Sequence, residues 1–197
     1  MKVIIITGPT GSGKTTLSKK ILEKIKYGYV LSTDNYYKTG LISKLLSIFL
    51  KNYFDRLVSF NINLFKKDFN YIVKNAKSDH IYIYNFKKKT IKKSLKKASN
   101  INFLIVEGIF AKECLDNINK KNYFFIEIKA SKNSCMKRVI KRDSNERGKN
   151  REFAKIEFLD SWNLYYTKKH REVKNEFKYS KKTDIDILIK KILNFKI

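Results

Sequence analysis

The chain is poor in the residues that staple, kink or interrupt a backbone. Its 197 residues include one proline, seven glycines and two cysteines. Cys114 and Cys135 form neither a disulfide framework nor a metal-binding spacing, which excludes a small cross-linked scaffold and a zinc ribbon. No apolar run reaches the roughly 18 residues that a membrane span requires. The apolar stretch Val3 to Ile6 is too short for a secretory signal and runs at once into glycines. A soluble, cytoplasmic protein without a membrane partner is therefore expected. With 43% hydrophobic and 14% aromatic residues, disorder is excluded as well. The length predicts a single domain over residues 1–197.

Acidic residues are also scarce, 18 against 44 basic ones, for a formal net charge of +26. Such a charge raises the question of nucleic acid. Arginine, however, is nearly absent: six arginines stand beside 38 lysines. Reading phosphates and bases draws on the planar, bidentate arginine fork. Here the lysines are spread along the whole chain, beside abundant asparagine and isoleucine. They read as solvated surface, and no nucleic-acid partner is expected.

Because glycine and proline are rare, their clustering is informative. Three glycines and the proline fall in Gly8-Pro9-Thr10-Gly11-Ser12-Gly13-Lys14-Thr15, which matches the phosphate-binding pattern G-x-x-x-x-G-K-[ST]. Before it, Lys2 to Thr7 is a β-branched run of the kind found in buried parallel strands. After it, Leu17, Ile21, Leu22 and Ile25 mark one face of a helix over 14–26. Glycines let successive backbone N–H groups converge on phosphate oxygens, and the helix N-terminus adds further donors. Residues 8–15 and Thr16 would hold ATP. Lys14 would reach its β- and γ-phosphates, and the Thr15 hydroxyl would ligate Mg²⁺.

Further strands are predicted at 29–32, 81–86, 102–108 and 123–128. Helices are predicted at 41–50, 61–76, 131–142, 153–170 and 183–195, with a basic helical stretch at 87–97 and a polar loop at 144–150. Strands alternating with helices indicate an α/β parallel sheet. Two carboxylates fall where strands end on the phosphate-loop side, the edge at which such sheets bind ligands: Asp34 and Glu107. His80 and His170 lack catalytic partners and read as loop or surface residues. Trp162, Tyr165 and Tyr166 read as packing residues of a long helix.

The ordered series of segments resembles the uridine kinase and phosphoribulokinase family. Besides the phosphate loop, it comprises Ser32-Thr-Asp-Asn-Tyr-Tyr37, Tyr53-Phe-Asp-Arg-Leu-Val-Ser-Phe-Asn61, Tyr82-Ile-Tyr-Asn-Phe86, Val106-Glu-Gly-Ile109, and Arg138-Val-Ile-Lys-Arg-Asp143 followed by Glu146-Arg-Gly-Lys149. The resemblance implies a P-loop NTPase-type three-layer sandwich with a central parallel sheet, a small acceptor-binding hairpin or helical insertion at about 34–97, and a lid at about 138–150. It further implies that Asp34 is the general base towards a nucleoside 5′-hydroxyl and that Glu107 joins Thr15 at Mg²⁺. Asp55 and Tyr84 would contact the acceptor, while Arg142 and Arg147 would close over the phosphates. A homo-oligomer is compatible with it.

The departures concentrate on the acceptor side. The family's pyrimidine-reading histidine falls at Lys89, and its aspartate after the tyrosine at Asn85. Its His-Pro-Asp is Arg56-Leu57-Val58, and the later aspartate is Asn61. One lid arginine falls at Val139, and the last at Lys149. Three readings therefore stay open: a uridine or cytidine kinase, a kinase of another small acceptor such as a sugar phosphate, vitamin precursor or nucleotide, and a nucleic-acid-binding P-loop ATPase. An inactive relative is a further alternative.

Overall fold

The computed structural model describes residues 1–113, 123–167 and 176–195. Cys114 and His170 lie outside them. The described chain runs β1 (Lys2–Thr7), α1 (Lys14–Lys24), β2 (Gly28–Ser32), α2 (Leu41–Phe49), α3 (Ile62–Asn75), β3 (Ser78–Asn85), β4 (Thr90–Ala98), β5 (Phe103–Glu107), β6 (Tyr123–Ile128), α4 (Lys132–Arg147), α5 (Arg151–Thr167), β7 (Glu176–Tyr179) and α6 (Ile185–Asn194). Short 3-10 turns lie at Thr33–Tyr36, Tyr53–Asp55 and Leu57–Ser59.

Five strands form a sheet in the order β2-β5-β1-β6-β7, and every pair is parallel. The Lys2–Thr7 run occupies its centre because both of its faces are apolar, as a strand covered on two sides requires. Side chains alternate across the sheet. Val3 and Ile5 join Phe65, Phe69 and Ile72 of α3 on one face. Ile4 and Ile6 meet Leu17 and Ile21 of α1 and Leu188, Ile189 and Ile192 of α6 on the other. Those layers make the α/β sandwich. No helix among the described residues is long and apolar enough to cross a membrane.

Polar residues set the helix starts. Asn61 accepts from the Leu64 N–H at 3.2 Å, and Asp184 from the Asp186 N–H at 2.8 Å. α4 and α5 pack on each other beside the sheet, through Cys135 and Val139 against Phe158.

Three sequence expectations are corrected. The basic stretch 87–97 is a strand rather than a helix: β4 pairs antiparallel with β3, Ile91 opposite Tyr84 and Lys93 opposite Tyr82. A helix would stack Lys88 on Lys92, Lys89 on Lys93 and Lys93 on Lys97, like charges four residues apart. A strand separates them, and β3 supplies the backbone partners. The polar loop expected at 144–150 is largely helical. The Asp143 carboxylate pairs with Arg147 one turn on, at 3.5 Å, and carries α4 to Gly148, whose φ of 66° ends it. His80 lies in β3, with Nε2 3.5 Å from the Asp68 carboxylate, rather than on a loop.

Candidate active site

The loop between β1 and α1 is closed in by α4. Gly11 has φ 73°, and a β-carbon there would stand 2.7 Å from both the Cys135 carbonyl oxygen and Val139 Cγ2. The same carbonyl edge is held by Arg138, whose Nη1 donates to the Gly11 oxygen at 2.8 Å. Pro9 and Ser12 are buried, Thr10 is half-buried, and Thr15 and Thr16 at the helix start are exposed. Lys14 is buried, and its ammonium donates to the Gly8 and Pro9 carbonyls at 3.0 Å each. Burial lowers its pKa, while the negative charges of Asp34 and Glu107 oppose that shift.

Glu107 ends β5 in register with Ile6 of β1 and Ser32 of β2, at the centre of the carboxyl edge. It is buried, and its Oε1 accepts from the Thr15 hydroxyl at 3.4 Å. Burial raises its pKa, and the nearby charge of Asp34 adds to the rise; hydrogen bonds from Ser32 and Thr15 and the Lys14 cation oppose it. Asp34 reaches this place because β2 turns sharply after Ser32. Gly108, at φ 144°, makes the turn possible: a β-carbon on it would lie 1.7 Å from Thr33 Oγ1.

The Asp34 charge also acts on Tyr37 and Arg147, so the same carboxylate faces the phosphate loop and an aromatic lobe. Tyr37 is buried in that lobe, with ring centroids 5.3 Å from Phe54, 5.2 Å from Tyr84 and 5.7 Å from Phe86. Burial pushes its hydroxyl well up, and the charges of Asp34 and Asp55 push in the same direction. The Tyr84 N–H donates to Asn35 Oδ1 at 3.3 Å, which ties the β3–β4 hairpin to the Asp34 turn. The Tyr84 hydroxyl is buried, has no hydrogen-bond partner among the described residues, and is pushed up to about 12 by that burial. Asp55 lines a small cavity with Thr10, Ile109, Ser161 and Tyr165. Tyr165 is bonded to Thr7, so α5 braces the phosphate loop where it leaves β1.

The α4 cations gather on Asp143, which is buried. Arg142 Nε donates to it at 2.7 Å, Arg147 Nη1 lies at 3.5 Å and Lys149 Nζ at 3.7 Å. Lys149 also pairs with Glu157 of α5. Arg142 is near enough to Lys14 to lower its pKa further, and Arg147 is near Arg142. The Arg147 guanidinium lies over the Phe86 ring at 3.9 Å. The Asp34 charge thus acts on Lys14, Glu107 and Arg147, and the Arg142 charge on Lys14 and Arg147. Asp55 and Tyr84 join them through Tyr37.

The site also uses residues that motif reading passed over. Arg138 stands one helical turn before Arg142, a spacing that could have shown it facing the same loop. Phe86, Asn35 and Tyr37 lie inside quoted segments, but their contacts are with distant parts of the chain and leave no local signal.

The donor set suits a magnesium nucleotide. The Ser12 hydroxyl is buried in the loop with no hydrogen-bond partner among the described residues. Thr15 and Glu107 offer hard oxygens, and Mg²⁺ is commonly bound through one or two carboxylates together with substrate phosphates. No group of three or more His, Cys, Asp or Glu side chains able to hold a metal occurs among the described residues.

Residues 3–180 match the family model described as "Phosphoribulokinase / Uridine kinase family". The chain belongs to that family. It is accordingly a P-loop kinase by family, and a phosphotransferase. Its relatives include the uridine kinase of Borrelia turicatae, 33% identical over 169 residues that cover 84% of this chain and 79% of that one. The uridine kinase of Ureaplasma parvum is 32% identical over 157 residues, covering 78% and 73%. Among solved structures, the D-glycerate 3-kinase of Cryptococcus neoformans shares the fold, with a TM-score of 0.63 at 15% identity over 91% of this chain and 86% of that one.

Proposed function

We propose that this family member transfers the γ-phosphate of ATP to the 5′-hydroxyl of a pyrimidine nucleoside, uridine or cytidine. The observation that carries the proposal is the position of Asp34, whose charge acts on Lys14 and Glu107 on one side and on Tyr37 of the aromatic lobe on the other. A base for this reaction must stand between donor and acceptor. The relatives named uridine kinase support the choice of nucleoside.

In this reading the phosphate loop, from Gly8 to Thr16, positions the triphosphate by its backbone N–H groups, and Lys14 neutralises the β- and γ-oxygens. Thr15 and Glu107 hold Mg²⁺, which when bound offsets phosphate charge. Asp55 and Tyr84 orient the acceptor. Asp34 takes the hydroxyl proton as the acceptor oxygen bonds to the γ-phosphorus and the bond to the bridging oxygen of ADP breaks. Arg142 and Arg147 stabilise the charge on the transferring group, and the lid they belong to keeps water from replacing the acceptor.

Lys89 favours a second reading. Its ammonium lies 5.8 Å over the Phe54 ring, at the margin of the acceptor lobe, and suits an anionic acceptor such as a sugar phosphate. ADP release by the purified protein with ATP and Mg²⁺, measured against uridine, cytidine, sugar phosphates, nucleotides and single-stranded RNA, separates the readings. Stimulation by uridine or cytidine well above the rate with water supports the first. Stimulation by phosphorylated acceptors alone, or by RNA alone, overturns it.

A further inference from the structure

The buried face of α4 is a row of residues one turn apart: Cys135, Val139 and Asp143. The first two are apolar and stand against Gly11 of the phosphate loop. The third is a carboxylate, only 4% exposed. An apolar side chain would continue the row without the desolvation of a charge, and a buried ion pair is seldom a net source of stability. Asp143 therefore calls for a role other than packing.

Two of its partners are the arginines read as closing over the phosphates. Arg142 donates to Asp143 Oδ1 through Nε, the stem nitrogen of its guanidinium, at 2.7 Å. Its two Nη groups make no hydrogen bond among the described residues. A planar fork with both tips open can take two phosphate oxygens at once. The Arg142 charge is felt at Lys14, so the fork lies near the phosphate loop. Arg147 Nη1 stands 3.5 Å from the same Oδ1, and the Asp34 charge acts on it from the other side. Two guanidinium groups this close repel, and the Arg142 charge accordingly lowers the Arg147 pKa. Oδ1 offsets that repulsion at the one point both arginines share, while Oδ2 faces Lys149 at 3.7 Å.

We propose that Asp143 is a positioning residue for phosphoryl transfer, its Oδ1 holding Arg142 and Arg147 side by side with the Arg142 fork turned to the phosphates of ATP. This role rests on the reading of Arg142 and Arg147 as the pair that closes over the phosphates. Aiming and charge act here in opposite senses. A carboxylate acting through its charge alone would repel ATP, and neutralising it would tighten binding. A carboxylate that aims the arginines is required for binding, and neutralising it weakens ATP.

Titration calorimetry of the full chain with ATP and with ADP, each with Mg²⁺, separates the two. In Asp143→Asn, ATP affinity should fall about tenfold, as for the loss of one charge-assisted hydrogen bond. ADP affinity should fall less, since ADP lacks the γ-phosphate. With uridine as acceptor, kcat should fall about 10²-fold while KM for uridine changes little. Adding Asp143→Asn to Arg142→Gln should then cost less than Asp143→Asn costs alone. Melting temperature monitors the fold, and Asp143→Ser, neutral and smaller, repeats the comparison if the amide is not accommodated. ATP affinity that rises or stays unchanged overturns the proposal, as does full additivity with Arg142→Gln. A lowered melting temperature with affinity and kcat intact overturns it too, leaving Asp143 a structural brace. Absence of uridine phosphorylation by the parent chain removes the nucleoside reading and leaves the ATP comparison to decide the role of Asp143. Absence of ATP binding by the parent chain overturns both.

Discussion

The Arg147 guanidinium sits 3.9 Å above the centre of the Phe86 ring, joining the C-terminal end of α4 to the end of β3. Burial and the neighbouring Arg142 charge both lower the Arg147 pKa, so the ring and Asp143 are what steady this cation. Removing the ring by Phe86→Leu should cut turnover by about 2- to 30-fold, from the roughly 0.5–2 kcal/mol of a cation–π contact. Phe86→Tyr should restore most of it. In a double-mutant cycle with Arg147→Lys, the two losses should be less than additive. Additive losses would show that the contact does not couple α4 to β3.

Asp34→Asn removes a carboxylate whose charge acts on Lys14, Glu107, Tyr37 and Arg147. If Asp34 takes the acceptor proton, turnover should fall by about 10²- to 10⁴-fold. ATP affinity, measured by titration calorimetry, should change much less. Unchanged turnover would remove Asp34 from the base role.

Glu107 predicts a pH dependence of stability. Burial and the Asp34 charge raise its pKa in the folded chain above the value in the unfolded chain. The folded state then holds more protons between the ordinary carboxylate value and the raised one, so stability falls as pH rises through that window. Glu107→Gln abolishes this loss. Its melting temperature should overtake that of the parent progressively as pH increases above about 4.5. The same substitution should raise the Mg²⁺ concentration required for turnover, since it removes a charged oxygen beside Thr15. A constant difference in melting temperature across pH would contradict the assigned shift.

Gly108→Ala tests the turn that positions Asp34. The new β-carbon would meet Thr33 Oγ1 at 1.7 Å and Thr33 Cβ at 2.9 Å, on a backbone at φ 144°. The chain must shift there, at a cost of at least ~3 kcal/mol, or a melting temperature lower by about 6–12 °C. Adding Thr33→Ala, which removes the hydroxyl, should recover part of the loss. Full stability in the single variant would show that the Asp34 turn does not rely on this close approach.

Much of this molecule could be read locally. The phosphate loop, the central Lys2–Thr7 strand and the amphipathic α3 are written in runs of adjacent residues, where spacing and side-chain type suffice. β4 was not legible in the same way. Its lysines favour a helix by propensity, and only the pairing with β3 overrides the helix, which would stack like charges. The extent of α4 rests on a local i,i+4 ion pair between Asp143 and Arg147, within a cluster that also takes Arg142 and Lys149, which the polar composition of 144–150 masked.

The sequence by itself determined the phosphate-binding loop and the parallel α/β plan, because glycine scarcity made one cluster conspicuous and buried strands need continuous apolar runs. The tertiary structure decided which side chains share a site. Arg138 reaches Gly11 across 127 residues, and Gly108 admits Thr33 from the turn after β2. It also decided that the apolar stripe of α2 faces outward, with Ser43 turned in. Helical periodicity defines a stripe; only the packing of neighbouring elements determines which side of the helix is covered.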